Sequence, residues 1–293
     1  MPLSSLAEAA PPEVHDVTDP ETLIDEPFLL TTLVREQPSS AHWIEHSHAV
    51  AELIWVVSGV VNVSAAGAIY VLRAGQGLVV PPYMAHGSQV MRSARIGATY
   101  LRTVPGALPQ DRPVSVSMSR ALMEMLQHLN ETAMPQDERL RAQQVCLDMI
   151  GASRALGPGI PVPDDARIRR ITRAILADPA DDRSLEQWSV ITGTSVSTIA
   201  RTFTETADMS FVRWRRQVRV KAAMSLLAEG LPVTAVGRRV GYSSPSAFVT
   251  AFRQEVGQTP GAYLRGPAAA AHEHAAACAD SGTLCPMRDI ESS

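Results

Sequence analysis

Four side chains in the first third of the chain carry the donor types of a metal site: His46, His48, Glu52 and, further on, His86. His46 and His48 are two apart, and on a strand such neighbours project to the same face. A carboxylate and a third imidazole complete a set suited to Fe, Mn, Ni, Co or Zn. The same groups could instead line a pocket or pair with one another without an ion. His42 stands nearby, either supporting the set or sitting on the outer face of its strand. A second group, His272, His274, Cys278 and Cys285, offers ligands for metal or redox sensing. Its spacing matches no standard site, so a solvated tail with incidental His and Cys is the simpler expectation. Cys146 reads as a small core residue on a helix.

The other chemistry is cationic. Residues 164–266 hold 14 Arg, one Lys and 10 acids, a balance of +5. Residues 1–163 carry −6 and residues 267–293 carry −3, which accounts for the net charge of −4. An acidic front with a basic back suggests that the back half meets a polyanion. Lys221 is the only lysine, and arginine suits bidentate phosphate and guanine contacts. Genome composition would produce the same bias.

Within the basic half, two segments repeat one scheme: short helix, glycine-containing turn, second helix anchored by aromatics. They run from Ser184 to Thr206 and from Val233 to Val256. Ser195 and Phe203 are eight residues apart, as are Ser244 and Phe252, and the copies are offset by 49. This is a duplicated helix-turn-helix. The second helix of each unit would enter a major groove, with the two units about 34 Å apart along double-stranded DNA. Val196, Ile199 and Phe203 face inward by spacing. Ser197, Thr198, Ala200, Arg201 and Thr204 are then left for base edges, with Arg201 the best placed for guanine. In the second unit Pro245, Ser246, Val249 and Thr250 face out. Arg213, Arg216, Arg238, Arg239 and Arg253 are candidates for phosphate contacts.

These groups need elements to position them. At 293 residues with 45% hydrophobic content and a mean hydropathy of +0.01, the chain can bury a core, and disorder as a whole is excluded. No apolar run approaches the ~18 residues of a membrane span. Residues 1–20 carry Glu8, Glu13, Asp16 and Asp19 without a basic residue, which argues against a signal peptide. Three cysteines make no disulfide framework. A cytoplasmic protein with no membrane partner is expected. Leu29–Arg35, Glu52–Val63, Ile69–Leu72, Leu78–Val80 and Arg95–Leu101 read as short strands separated by glycine turns, as in a small barrel or sandwich. Helical periodicity begins at Met118 and recurs over Asp137–Leu156. Three prolines and two glycines over 157–163 break it, and everything from Asp164 onward reads helical. The fold class is therefore α+β. It divides into an N-terminal arm (1–28), a barrel (29–112), a helical connector (113–157), a linker (158–166), a double helix-turn-helix domain (167–266) and a tail (267–293).

On these residues the second half resembles the DNA-binding domain of the AraC family of transcription regulators. The match covers Leu185-Glu186-Gln187-Trp188, Ser195 to Phe203, Trp214-Arg215, Arg219, Val240-Gly241-Tyr242, Ser246-Ala247-Phe248 and Gly257-Gln258-Thr259-Pro260 with Tyr263-Leu264-Arg265. The positions of Ser197, Ala200 and Arg201 correspond to base-facing positions of that family. Gly237 departs from the usual alanine; it costs about 1 kcal/mol inside a helix and predicts a looser second unit. The first half resembles a cupin, through His46-x-His48-x3-Glu52-x6-Gly59 and Gly75-x5-Pro81-x-Tyr83-x2-His86, with Tyr83 where glycine is usual. The resemblance implies that His46, His48, Glu52 and His86 converge inside a barrel. It implies a small-molecule or metal effector, pairing of subunits through the connector helices, and contact with RNA polymerase if the protein activates. The combination looks most like cupin-bearing AraC regulators, a group that includes iron-limitation regulators. A metal-dependent cupin enzyme of dioxygenase or isomerase type with an appended DNA-binding module is the alternative, and a non-sensing architectural DNA binder is a further one.

Overall fold

The computed structural model describes residues 13–15, 24–38, 41–90, 93–102, 111–228 and 230–264. The expected tail ligands His272, His274, Cys278 and Cys285 lie outside the described residues. Eleven described strands occur: β1 (Glu13–His15), β2 (Leu30–Gln37), β3 (Ala41–His46), β4 (Ala51–Ser58), β5 (Val60–Ala65), β6 (Ala68–Arg73), β7 (Gln76–Val80), β8 (His86–Val90), β9 (Ala94–Leu101), β10 (Val114–Ser117) and β11 (Ile160–Pro161). They form two sheets in the orders β1-β3-β8-β5-β6-β11 and β10-β7-β4-β9-β2. Ile54, Val56, Val61, Val63, Leu72 and Leu78 fill the space between them, giving a jelly-roll-like body.

Burial on both faces explains why β4 reads as a nearly unbroken apolar run. Leu53 and Trp55 face the connector helices, while Ile54 and Val56 face the opposite sheet. Side chains alternate, so Glu52 shares that inner face. A carboxylate buried there requires partners.

Helices α1 (Arg120–Glu131) and α2 (Gln136–Gly151) cover the outer face of the second sheet. Leu122, Leu126 and Leu129 of α1 join Cys146, Leu147 and Ile150 of α2 against Leu53 and Trp55. Gln143 is fully buried and joins α2 to β2: its amide donates to the Leu30 carbonyl at 2.9 Å and its oxygen accepts from the Leu29 N–H at 2.7 Å. Cys146 lies in this core, and burial pushes its thiol up to about 11.

Two stretches depart from the segmentation expected of the sequence. β10 falls in the expected helical connector, yet it pairs antiparallel with β7, Val114 opposite Val79. β11 falls in the expected linker and pairs with β6, Ile160 opposite Ile69. A proline is tolerated there because the strand lies at the sheet edge. The connection between the halves is thus docked on the first sheet, and Val162 N–H also donates to the Gly67 carbonyl at 2.8 Å.

The second half contains α3 (Arg169–Ala177), α4 (Leu185–Thr192), α5 (Val196–Ala207), α6 (Phe211–Ala228), α7 (Val233–Arg239) and α8 (Pro245–Val256). α6 serves two cores. Its first half places Phe211, Trp214 and Val218 with Trp188, Ile199 and Phe203. Its second half places Val220, Ala223 and Leu227 with Val236, Phe248 and Phe252. Two contacts reach back to the sheets: Trp214 Nε1 donates to the Pro161 carbonyl at 2.7 Å, and the Arg73 guanidinium lies 4.7 Å from the Tyr263 ring centre.

Candidate functional site

The four expected ligands of the first half do meet. One donor atom from each of His46, His48, Glu52 and His86 lies within 4.8 Å of the others. The strands explain this. His46 ends β3 directly opposite His86 at the start of β8, and Glu52 projects inward from β4. The loop after β7 brings His48 in: the Tyr83 N–H donates to the His48 carbonyl at 2.7 Å. Tyr83 achieves this with a φ of 60°, the left-handed conformation that glycine adopts more easily. His42 is exposed, on the outer side of β3.

Each imidazole is held from behind. The Nδ1 atoms of His46, His48 and His86 lie 2.8 Å from the carbonyls of Ile44, Val50 and Met84. Donation of Nδ1–H to a carbonyl leaves Nε2 as the inward nitrogen and fixes the ring's orientation. Glu52 Oε2 then lies 3.2 Å from His48 Nε2 and 2.8 Å from His86 Nε2. Burial alone would raise the Glu52 carboxyl, but hydrogen bonds from His48 and His86 outweigh it and hold the group at about 2. Burial opposes charging of His86, yet the bond to Glu52 and its negative charge raise this imidazole above its ordinary value. His46 is lowered, chiefly by desolvation.

A metal fits this donor set. Donors bound at about 2.0–2.2 Å to one tetrahedral ion lie about 3.3–3.6 Å apart; the Glu52 oxygen is already 3.2 and 2.8 Å from two imidazole nitrogens, and pairs as wide as 4.8 Å would close by about 1 Å. A proton on the His86 nitrogen would be displaced, and the carboxylate is already ionised. A cavity of about 70 Å³ adjoins the cluster, and its walls include His46, Glu52 and His86.

The reader helices take shape from local signals. Ser184 and Gln187 form a reciprocal capping box at α4, and the Ser195 hydroxyl accepts from the Thr198 N–H at 3.2 Å to start α5. Ser244 caps α8, whose first residue is Pro245. Gly193 and Gly241, with φ of 68° and 86°, form the turns. Ile199 and Phe203 are buried, as spacing required, and Val196 is half-buried. Thr202 is buried as well, its hydroxyl satisfied by the Thr198 carbonyl at 2.8 Å. Ser197, Arg201 and Thr204 are exposed on α5, and Thr198 and Ala200 are half-exposed. Arg201 makes only a loose ion pair with Glu205 at 3.5 Å, both exposed. On α8, Pro245, Ser246 and Thr250 are exposed and Val249 half-exposed.

The expected phosphate-binding arginines divide. Arg238, Arg239 and Arg253 are exposed. Arg213 is also exposed, on a cleft between α6 and the β6–β7 region. Arg216 is engaged within the protein, its Nε 2.6 Å from Glu255. Arg219, outside the expected set, is buried: its guanidinium donates to the carbonyls of Pro179 and Asp181 at 2.9 and 3.0 Å and to Asp182 at 3.2 Å. Nothing in its spacing announced this, because those partners lie nearly forty residues upstream.

Residues 30–142 match the family model of an AraC-like ligand binding domain, and residues 188–266 match a helix-turn-helix domain model. The chain is 25% identical over 221 residues to the HTH-type transcriptional regulator NimR of Escherichia coli, covering 75% of this chain and 81% of NimR. It is 30% identical over 224 residues to the HTH-type transcriptional regulator RipA of Corynebacterium glutamicum, covering 74% of this chain and 62% of RipA. A crystal structure of ToxT from Vibrio cholerae with bound unsaturated fatty acid aligns with 82% of this chain and 96% of its own, at 12% identity and a TM-score of 0.35.

Proposed function

The chain belongs to the AraC family of DNA-binding transcription regulators, and from that premise we propose that its barrel senses a divalent transition metal, alone or with a small organic molecule, and thereby biases promoter binding. One observation carries this reading: three imidazoles, each with Nδ1 anchored on a backbone carbonyl, gather with the Glu52 carboxylate so that one donor atom from each lies within 4.8 Å of the others. Bound there, an ion would supply positive charge and open positions for a donor from an effector.

DNA contact falls to the exposed faces of α5 and α8: Ser197, Thr198, Ala200, Arg201 and Thr204, then Pro245, Ser246, Val249 and Thr250. Arg213, Arg238, Arg239 and Arg253 supply phosphate contacts, whereas Arg216 contributes less, because Glu255 neutralises it. An effector shifts the outcome only by favouring one arrangement of the domains over another. β6 and β11 are the elements placed to relay it, since Pro161 and Arg73 touch α6 and Tyr263. Two copies paired through α1 and α2 would set four readers on one promoter, and an activator would also meet RNA polymerase there.

The test is elemental analysis of the purified protein, with footprinting on its own promoter region with and without chelator. The expected result is about one ion per chain, lost in a His46→Ala/His86→Ala variant, and a footprint that changes on chelation. An identical footprint from metal-free and metal-loaded protein would sink the sensing role. Metal affinity should fall as pH drops through the raised value of His86, because protons and the ion compete for the same nitrogen.

A further inference from the structure

The cavity beside the His/Glu cluster has a second pole. Leu33 and Arg35 of β2 reach it from the same strand face, while Thr32 and Val34 point to the other side. Ile54 and Ile96 give it apolar walls, Ile96 pairing directly opposite Arg35, and Tyr100 of β9 also lines it. The Arg35 charge is felt at the Tyr100 hydroxyl, where it opposes that of Glu52. Glu52 is already bonded to His48 and His86. Arg35 is exposed, at the rim of the cavity, and has no hydrogen-bond or ion-pair partner among the described residues, so its guanidinium is free to bind an anion that enters there. A volume of about 70 Å³ admits roughly five water-sized groups.

Resting on the sensing role of the barrel, we propose that this cavity takes a small organic monocarboxylate: Arg35 grips the carboxylate, Leu33, Ile54 and Ile96 hold the short body, and a second oxygen points to the His46–Glu52–His86 end. The planar guanidinium pairs with a carboxylate through two parallel N–H···O bonds. A tetrahedral phosphate would have to set its further charged oxygens beside Leu33, Ile54 and Ile96 or toward the Glu52 carboxylate. The apolar walls and the small volume likewise disfavour a sugar, whose hydroxyls each need a partner.

The experiment is calorimetric titration of the full-length chain, cobalt-loaded and metal-free, with acetate, lactate, 2-oxobutanoate, the neutral propane-1,2-diol and inorganic phosphate. Visible absorbance reads cobalt uptake separately. The expected result is saturable binding of at least one carboxylate, weakened by about tenfold or more in Arg35→Gln, with cobalt uptake and melting temperature unchanged. Arg35-dependent carboxylate binding without cobalt uptake would uphold this assignment and overturn the metal reading. Carboxylate binding indifferent to Arg35→Gln, equal binding of propane-1,2-diol, preference for phosphate, or no carboxylate binding would overturn the assignment, while normal cobalt uptake would leave the metal reading standing.

Discussion

The two helix-turn-helix units follow one plan but are held together differently. The first is supported largely from within. A capping box starts α4, the Ser195 hydroxyl starts α5, and the turn at Gly193 has open space where a side chain would go. The second leans on its surroundings. α7 has seven residues and no side-chain cap bond, and the Gly241 turn is pressed against Ala180 and the guanidinium of Arg219. Arg219 belongs to α6 and also binds the carbonyls of Pro179 and Asp181, so one buried side chain ties the loop before the first unit to the turn of the second. The reader faces differ too. α5 exposes Ser197, Arg201 and Thr204, all able to hydrogen-bond, whereas α8 exposes Pro245, Ser246 and Thr250. The same motif can thus be fixed by local capping or by a neighbour.

Paired substitutions at the turns put the largest strain on this contrast. Gly193→Ala meets only the left-handed backbone penalty, about 1–2 kcal/mol. Gly241→Ala adds a Cβ 2.9 Å from the Ala180 Cα and 2.8 Å from an Arg219 nitrogen. Overpacking of that kind adds about 1–3 kcal/mol, so a total of about 2–5 kcal/mol is expected by urea unfolding. Equal losses at the two glycines would mean the second turn is not wedged. Arg219→Lys comes next. One ammonium cannot reproduce a fork that serves Pro179, Asp181 and Asp182, and carbonyls left without a partner cost about 2 kcal/mol. Amide exchange should speed up at Gly241 and Tyr242 and not in α5; uniform acceleration through both units would erase the distinction.

On DNA the asymmetry should appear as specificity. Arg201→Ala is expected to remove about 1–3 kcal/mol of preference for the cognate site over a scrambled one, leaving weak, salt-sensitive binding. Ser246→Ala should change that preference by less than about 1 kcal/mol, because a single hydroxyl offers no bidentate contact. Competition binding at fixed salt measures both, and an equal loss in the two variants would place discrimination in both readers.

What the sequence made legible follows from how local each signal is. Helix starts at Ser184, Ser195 and Ser244 depend on residues three apart, and all three caps form. His46, His48 and Glu52 meet as the motif implied, but not by alternation along one strand: His46 ends β3, Glu52 lies on β4, and His48 sits in the loop between them, where the Tyr83 N–H holds its carbonyl. β3 was legible only through its histidines and β8 not at all: AHWIEH and HGSQV lack a clean apolar alternation, and the two strands pair with His46 opposite His86. β10 and β11 owe their existence likewise to distant partners in β7 and β6. Arg35 and Tyr100 could not be assigned to the cavity because the strands bearing them meet it only once the sheets close. The Arg216–Glu255 pair was hidden for the same reason.

Gly237 is the finest probe of how loose the second unit is. By helix propensity alone, Gly237→Ala should stabilise by about 1 kcal/mol, and the glycine would mark a slack helix. The structure gives it another role. Gly237 is buried, and an added Cβ would lie 3.1 Å from three atoms of Phe248, whose ring anchors α8. The missing methyl lets α7 approach α8 closely. Phe248 would have to yield by a few tenths of an ångström, and its neighbours Tyr242 and Phe252 stand with ring centres 5.5 and 5.7 Å away. The two effects oppose each other, so the net change in unfolding free energy should stay within about 1 kcal/mol of zero. A full gain of about 1 kcal/mol would show that Phe248 moves freely and the unit is slack after all. A loss well beyond that would show that α7 and α8 are fixed as rigidly against each other as α4 and α5.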